Sequence, residues 1–207
     1  MTVMTMRKRV AIFISGRGSN MMSLINASKM PDYPADIVLV ISDNADADGL
    51  IFAKKNNIPA VVVTKKEYAH KTDYDNALDL TCKNHHIDII CLAGFMRLLS
   101  ADFCDKWTGK MINIHPSLLP AFRGLDTHKR AIECGVKFSG CSVHYVTAGM
   151  DEGDIIAQAA LKIMPSDTAD TLSKRILKLE HTLYPNVLKT ICTQDHHDIS
   201  FFEQDIL

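Results

Sequence analysis

Asn113 and His115 stand two residues apart at the end of the short apolar segment 111–114, which is typical of a buried strand. Side chains two residues apart on a strand lie on the same face. Pro116 and Pro120 follow, and because proline fixes φ and has no N–H, they end the strand and stiffen the loop. An amide and an imidazole held at one point suit a developing oxyanion. We therefore predict a preorganised oxyanion site here, and these two residues by themselves do not indicate a metal site.

A carboxylate could complete this site, and the loop 150–154 carries three of them, on Asp151, Glu152 and Asp154. A carboxylate beside His115 favours the protonated imidazole, so we expect the pKa of His115 to be raised if one of them lies there. The spacing alone does not choose among the three acids. A turn that is simply rich in acidic residues explains them equally well.

A glycine-rich loop at residues 15–20 connects an apolar strand at 10–14 to a helical pattern that ends near residue 29. Backbone N–H groups and the helix dipole converge at such a place, which favours binding of an anion such as phosphate. A tight turn that needs glycine only for its positive φ is the competing interpretation. A dinucleotide fingerprint requires a third glycine where Met21 stands, so a monophosphate fits better than NAD. Asp43, which follows a strand at 37–41, is either a ribose-binding acid or a turn residue.

The order of the predicted elements indicates an α/β fold, a doubly wound and mostly parallel sheet that is Rossmann-like, with an antiparallel C-terminal edge. Short apolar runs alternate with amphipathic segments along most of the chain, and the connection between the last two strands is too short for a crossover. The predicted strands are at 10–14, 37–41, 60–63, 87–92, 111–114, 138–146 and 155–163. The predicted helices are at about 20–29, 49–57, 67–85, 100–106, 127–134 and from 169 onwards. The apolar loop 93–99 then forms a pocket wall beyond the carboxyl end of a strand.

Charge and cysteine usage exclude several classes of protein. The 23 basic and 24 acidic residues nearly cancel, so nothing favours nucleic acid or an anionic membrane as a partner. The six cysteines form no C-x-x-C pair, which indicates reduced and mostly buried thiols. No signal peptide or membrane-spanning segment is recognisable, and we expect a cytoplasmic protein. His85 and His86 lack a third ligand at metal-site spacing, so we expect no metal.

Five segments resemble the phosphoribosylglycinamide formyltransferase family of purine synthesis, and the resemblance runs from about residue 9 to residue 191. The segments are Gly16-x-Gly18-Ser19-Asn20 and residues 93–99, 113–120, 142–146 and 180–185. The resemblance implies that the amino group of glycinamide ribonucleotide attacks the formyl carbon of 10-formyltetrahydrofolate in de novo purine biosynthesis. It implies one formyltransferase domain over residues 1–207, with a phosphate-binding half at about 9–110 and a catalytic, folate-binding half at about 111–191.

The same resemblance assigns roles to individual residues. The implied catalytic residues are Asn113, His115 and Asp151. The implied ribonucleotide-binding residues are Gly18, Ser19, Asn20 and Glu180. The implied folate-binding residues are Lys71, Met96, Arg97, Leu98, Leu99 and Asn113. Two positions depart from the family pattern, because Lys71 replaces an arginine that usually contacts the folate and Asp126 replaces a histidine.

Three other functions compete with formyl transfer to glycinamide ribonucleotide. Formyltetrahydrofolate deformylase shares the Asn/His/Asp constellation but adds an N-terminal regulatory domain, for which we expect no room before the first strand. Methionyl-tRNA formyltransferase adds a C-terminal RNA-binding domain, which we also do not expect. A non-catalytic or NAD-dependent Rossmann-type binder leaves Asn113 and His115 without a role. We expect small-molecule substrates as partners and either a monomer or a homodimer.

Overall fold

The computed structural model describes residues 7–193 and the backbone of a short strand at 201–202. Its strands are β1 (Lys8–Ile14), β2 (Ala35–Ser42), β3 (Ala60–Val62), β4 (Ile89–Leu92), β5 (Met111–His115), β6 (Phe138–Tyr145), β7 (Ile155–Lys162) and β8 (Phe201–Phe202). Its helices are α1 (Ser19–Ser28), α2 (Asp48–Lys55), α3 (Lys71–Asn84), α4 (Ala101–Lys106), α5 (Thr127–Glu133) and α6 (Ala169–Thr193). Over these residues no helix combines the length and apolar character needed to cross a membrane.

Within the described residues the strands form one sheet of eight, in the order β3-β2-β1-β4-β5-β6-β7-β8. The first five strands in this order are parallel to one another. The direction of progression reverses between β1 and β4, which makes the carboxyl ends of these strands a topological switch point. Ligands of doubly wound folds bind in the crevice at such a point. The predicted α/β class and the mostly parallel sheet are confirmed.

Two hydrophobic cores cover the two faces of the sheet, which explains why β1 is apolar at successive positions. Val10 and Ile12 belong to the core shared with α1, α2 and α6. Ala11 and Phe13 belong to the opposite core, which α3 and α4 complete. A strand that is buried on both faces has no need for alternating polarity.

The C-terminal edge of the sheet changes direction at β6. This strand runs antiparallel to β5, and β7 runs antiparallel to β6, so the predicted antiparallel edge is confirmed. The register of the first pair places Asn113 of β5 directly opposite His144 of β6. The short strand β8 then pairs with β7 in parallel.

Two predicted helices are too long. The helix predicted at 67–85 begins only at Lys71, because the chain first makes a 3-10 turn and Tyr68 is extended, with its ring packed edge-on against Tyr74. The helix predicted at 49–57 ends at Lys55, since Asn57 has a φ of 57°, which an α-helix does not accept. The helix predicted at 100–106 begins as expected, where the Ser100 hydroxyl accepts a hydrogen bond from the backbone N–H of Phe103.

Candidate active site

A cavity of about 600 Å³ opens beyond the carboxyl ends of β4 and β5. Its walls come from the loop after β4, the loop after β5, the start of α5, and the loop between β6 and β7. Asn113 and His115 lie in it at the end of β5, and Asp151 lies opposite them on the β6–β7 loop. The fold therefore brings the three predicted catalytic residues into one cavity.

A second cavity of about 290 Å³ adjoins the first at the end of β1. The glycine-rich loop 15–20 surrounds it together with the start of the loop after β4. Gly18 has a φ of 71° and directly precedes α1, whose first turn holds no acidic residue. A Cβ on Gly18 would lie 3.3 Å from Gly49 Cα and 3.0 Å from the end of Met21, so the loop needs glycine for space as well as for φ. Backbone N–H groups at a helix start in such a loop favour an anion.

Asn20 lies where the two cavities meet, since it lines both of them. Its side-chain Nδ2 donates a hydrogen bond to Oε2 of Glu180 on α6, and its Oδ1 is buried without a hydrogen-bond partner. Glu180 is 6% exposed and also lines the larger cavity. Burial raises the pKa of Glu180 to about 7, and the bond from Asn20 opposes this only in part. Predicted ribonucleotide-binding residues from opposite ends of the chain therefore meet in one place.

The ring of His115 lies between two hydrogen-bond acceptors. Nδ1 is 3.3 Å from Asp151 Oδ2, and Nε2 is 3.0 Å from the backbone oxygen of Phe122. A carbonyl can only accept, so Nε2 carries a hydrogen, and Nδ1 carries one as well only when the ring is charged. Burial of the ring nevertheless lowers the pKa of His115, while the Phe122 carbonyl and Asp151 act in the opposite direction. The expectation of a raised pKa is thus wrong in its net direction, because desolvation outweighs the neighbouring carboxylate.

The structure distinguishes the three acids of the loop 150–154. The Asp151 carboxylate faces His115 and also accepts a hydrogen bond of 2.9 Å from the backbone N–H of Gly124. The Glu152 carboxylate instead pairs with Arg123 at 3.0 Å and is exposed. Burial acts to raise the pKa of Asp151, but the neighbouring His144 ring, the hydrogen bond from Gly124 and the His115 ring outweigh it and lower that pKa. Asp151 is therefore ionised at neutral pH.

The loop 93–99 forms one wall of the larger cavity, as its apolar sequence predicts. Met96, Arg97, Leu98 and Leu99 all line it. Lys71 does not belong to the cavity lining, and it is exposed at the first residue of α3. Asp126 lines the cavity with a φ of 55°, directly before α5. The folate contact implied for Lys71 stays a prediction.

Comparison with known proteins agrees with this architecture. The formyl transferase family model matches residues 8–188. The chain belongs to the formyl transferase family. The phosphoribosylglycinamide formyltransferase of Haemophilus influenzae is 40% identical to it over 88% of this chain and 86% of that protein. A crystal structure of the phosphoribosylglycinamide formyltransferase from Brucella melitensis is 50% identical, with a TM-score of 0.87, and covers 90% of this chain and 96% of that one.

Some relatives in the family are much longer than this chain. The trifunctional purine biosynthetic protein adenosine-3 of Gallus gallus is 44% identical over 92% of this chain, but the match is 19% of that protein. The chain thus spans about a fifth of the length of that relative. It covers 14% of the corresponding Drosophila melanogaster protein.

His144 is a residue of this candidate site to which sequence reasoning assigned no role. Its Nδ1 donates to the backbone oxygen of Tyr145 at 2.8 Å, which leaves Nε2 to accept from Asn113 Nδ2 at 3.1 Å. The same Nε2 lies 3.6 Å from Asp151 Oδ1. The signal that could have found it is the pairing of β5 with β6, because residues directly opposite on antiparallel strands have neighbouring side chains.

The positions of the possible metal ligands and of the cysteines bear on the chemistry open to the protein. Over residues 7–193, no group of three or more His, Cys, Asp or Glu side chains is placed to hold a metal ion. All six cysteines are unpaired, and Cys82, Cys91, Cys104 and Cys141 are buried.

Proposed function

We propose that this protein transfers the formyl group of 10-formyltetrahydrofolate to the amino group of glycinamide ribonucleotide, giving formylglycinamide ribonucleotide and tetrahydrofolate. One observation carries the proposal: a glycine-rich loop at a helix start and a partly buried Asn/His/Asp constellation lie in adjoining cavities that share Asn20, Gly94 and Met96. A substrate with a phosphate at one end and an amine at the other fits the two cavities together. The name of the Haemophilus influenzae relative describes the same activity.

The ribonucleotide lies in the smaller cavity and extends into the larger one. Gly18, Ser19 and Asn20 hold its phosphate through backbone N–H groups at the start of α1, where the helix dipole favours negative charge. Glu180, beside Asn20, accepts hydrogen bonds from the same substrate. Hydroxyl donors of a ribose suit a buried carboxylate that has a hydrogen-bond partner on one oxygen only.

The folate lies against the opposite wall of the larger cavity. Met96, Arg97, Leu98 and Leu99 form its apolar and backbone surface, and Asn113 contacts the formyl end. Mostly apolar walls with a few placed polar groups are typical of sites for molecules of this size. Lys71 reaches the exposed end of the folate only if its side chain extends from the start of α3.

In the proposed reaction a C–N bond forms between the substrate amine and the formyl carbon, and the bond from that carbon to N10 of the folate breaks. Negative charge builds on the formyl oxygen, where the second N–H of Asn113 Nδ2 donates a hydrogen bond and the positive charge of the protonated His115 ring stabilises the oxyanion. The nitrogen that attacks loses a proton, and N10 gains one as it departs. His115, protonated at the start, gives a proton to the departing N10 and regains one from the attacking nitrogen, and the ionised Asp151 stabilises the imidazolium.

We also propose small-molecule substrates and a cytoplasmic location, which six unpaired cysteines support.

The deciding experiment follows folate absorbance with purified protein and 10-formyltetrahydrofolate, with and without glycinamide ribonucleotide. Formyl release should require the amine substrate, because no residue activates a water molecule in the proposed reaction. Equal turnover in its absence would identify a deformylase instead.

The proposed chemistry uses only protein donors to polarise the formyl oxygen, so we predict that activity survives dialysis against a strong chelator. Activity that is lost on chelation and restored by zinc would contradict this mechanism. The dialysed protein's far-UV circular dichroism controls for unfolding.

A further inference from the structure

The loop 93–99 presents exposed apolar side chains to the larger cavity although no strand or helix contains it. Met96 is 63% exposed and Leu98 is 59% exposed, and both line the cavity. A segment outside regular structure has no ladder of hydrogen bonds to fix it, so individual contacts determine its position. Those contacts can be identified residue by residue.

The two ends of the loop are bound to neighbouring elements. Ser15, directly after β1, donates its N–H to the backbone oxygen of Gly94 at 3.1 Å, and its hydroxyl accepts from the N–H of Met96 at 2.8 Å. The ring of Phe95 packs edge-on against Phe13, with centroids 5.3 Å apart. At the other end, the N–H of Ser100 donates to Asp75 at 2.9 Å.

The middle of the loop is held by Arg97 and Asp43. Arg97 Nε donates a charge-assisted hydrogen bond to Asp43 Oδ2, so the two side chains form an ion pair. The Asp43 side chain is 3% exposed and directly follows β2, which fixes its position, whereas the Arg97 side chain is 46% exposed. A buried carboxylate strongly requires a partner, because an unpaired charge out of water is costly. Asp43 itself lines neither cavity.

We propose that Asp43 is a positioning residue for folate binding, which acts by holding Arg97 and thereby placing Met96 and Leu98 against the ligand. The assignment of the ligand rests on the proposed function. Arg97 then contributes to the site by anchoring the loop. Its guanidinium pairs with Asp43 in preference to any carboxylate of the folate. The ribose-binding interpretation of Asp43 finds no support in this arrangement, because Oδ2 is paired with Arg97, Oδ1 is buried, and the residue lines neither cavity.

The first test compares Asp43→Asn with the wild-type protein. This change keeps the shape of the side chain and removes its charge, and we expect the KM for 10-formyltetrahydrofolate to rise about tenfold, the scale of losing one charge-assisted hydrogen bond. The KM for the ribonucleotide and the kcat at saturation should change less than twofold. A matched control is Asp79→Asn, since Asp79 is also buried and paired with lysines, on α3 and away from both cavities. It should lower thermal stability without changing either KM.

A double-mutant cycle then tests whether Asp43 acts through Arg97. We expect Arg97→Gln to raise the folate KM as Asp43→Asn does, and the double variant to be no worse than the worse single variant. Additive effects would overturn the proposal, because they would mean that Arg97 contacts the folate directly and Asp43 acts elsewhere. An Asp43→Asn protein that is merely less stable, with an unchanged folate KM, would also overturn it.

Amide hydrogen exchange provides a readout that does not depend on catalysis. In the protein without substrates, Asp43→Asn should speed exchange of the Met96 and Ser100 N–H groups about tenfold, while exchange in β1 stays unchanged. If the wild-type protein transfers no formyl group but this exchange pattern is found, the proposed function fails and the anchoring role stands. If the wild-type protein is active and exchange in the loop is unchanged in the variant, the anchoring role fails.

Discussion

At the scale of single residues, the candidate site depends on how the negative charge of Asp151 is compensated by the histidines beside it. Asp151 adopts a φ of 53°, a conformation that non-glycine residues adopt rarely, and its carboxylate lies between two histidines. His115 is buried enough that its pKa is lowered, so its protonated form needs the carboxylate more than an exposed histidine would. The neighbouring Glu152 pairs with Arg123 at the surface.

We predict that Asp151→Asn lowers kcat at pH 7 by about 10² or more, the scale of losing one oxyanion donor. Removing the charge lowers the pKa of His115 further, so the imidazolium is lost at a still lower pH. Steady-state kinetics and an NMR titration of His115 measure the two effects. Glu152→Gln is the matched control and should retain activity. The reverse pattern, an inactive Glu152→Gln and an active Asp151→Asn, would show that the wrong acid has been assigned.

Glu180 should make folding stability depend on pH. Its pKa is raised from 4.5 to about 7 in the folded protein, so between these values the folded state holds a proton that the unfolded state has lost. The contribution of Glu180 to stability is therefore present below about pH 4.5 and is lost as the pH rises through about 7.

We predict that Glu180→Gln removes this loss and raises the free energy of unfolding at pH 8 by about 1–3 kcal/mol relative to the wild-type protein. At pH 5 the two proteins should differ much less. Urea denaturation at both pH values provides the measurement, and Glu133→Gln, at an exposed glutamate of α5, is the control. Parallel pH profiles for wild-type and Glu180→Gln would exclude a buried, titrating Glu180.

At the scale of elements, the loop before α1, which we propose binds the phosphate, is compact. Gly18 packs against Gly49 of α2, and the backbone N–H of Gly49 donates to the oxygen of Gly16 at 3.2 Å. The loop is therefore held from behind by a second helix. A side chain at residue 18 would push against that helix and displace the backbone of the loop.

We predict that Gly18→Val raises the KM for the ribonucleotide at least tenfold and the KM for the folate far less, since the proposed phosphate contacts lie on this loop. Gly109→Val is the matched control, because Gly109 also has a positive φ of 70° but has no atom within 4 Å of the added Cβ. Both variants should lose stability through backbone strain, and only the first should lose ribonucleotide affinity. An unchanged ribonucleotide KM in a folded Gly18→Val protein would remove the loop from the site.

At the scale of the whole molecule, the C-terminal helix joins the two strands that carry the site. Tyr184 of α6 is fully buried, and its hydroxyl lies 3.0 Å from the backbone oxygen of Leu92 and 3.1 Å from that of Ile112. These carbonyls belong to β4 and β5, directly before the loop 93–99 and Asn113. The helix therefore connects the ends of adjacent strands where the cavity begins.

We predict that Tyr184→Phe lowers the free energy of unfolding by about 1 kcal/mol, because it removes a buried hydrogen bond to the ends of β4 and β5. Tyr74→Phe is the matched control, since the Tyr74 hydroxyl is buried without a hydrogen-bond partner and its removal should be neutral or stabilising. Chemical denaturation of the two variants measures both effects. Equal losses of stability would mean that the Tyr184 hydroxyl contributes nothing specific.

The sequence by itself determined the features that depend on neighbouring residues. The apolar run at 10–14, the glycine-rich loop and the following helical pattern predict a strand, an anion-binding turn and a helix, and the structure has all three. Asn113 and His115 share a face because the side-chain period of a strand is two. The predicted ends of the helices were less accurate, since a positive φ at Asn57 and the packing of Tyr68 against Tyr74 are not visible in a local pattern.

Only the tertiary structure decided which distant side chains meet. The path of the β6–β7 loop selected Asp151 from three acids, and the register of β5 against β6 placed His144 beside Asn113. Asp43 pairs with Arg97, which is 54 residues away along the chain. The pKa of His115 is lowered, opposite to the expectation. Desolvation depends on all the atoms that surround the buried ring, whereas sequence reasoning considered a single carboxylate. Periodicity reports the local backbone, but contacts and desolvation are properties of the assembled chain.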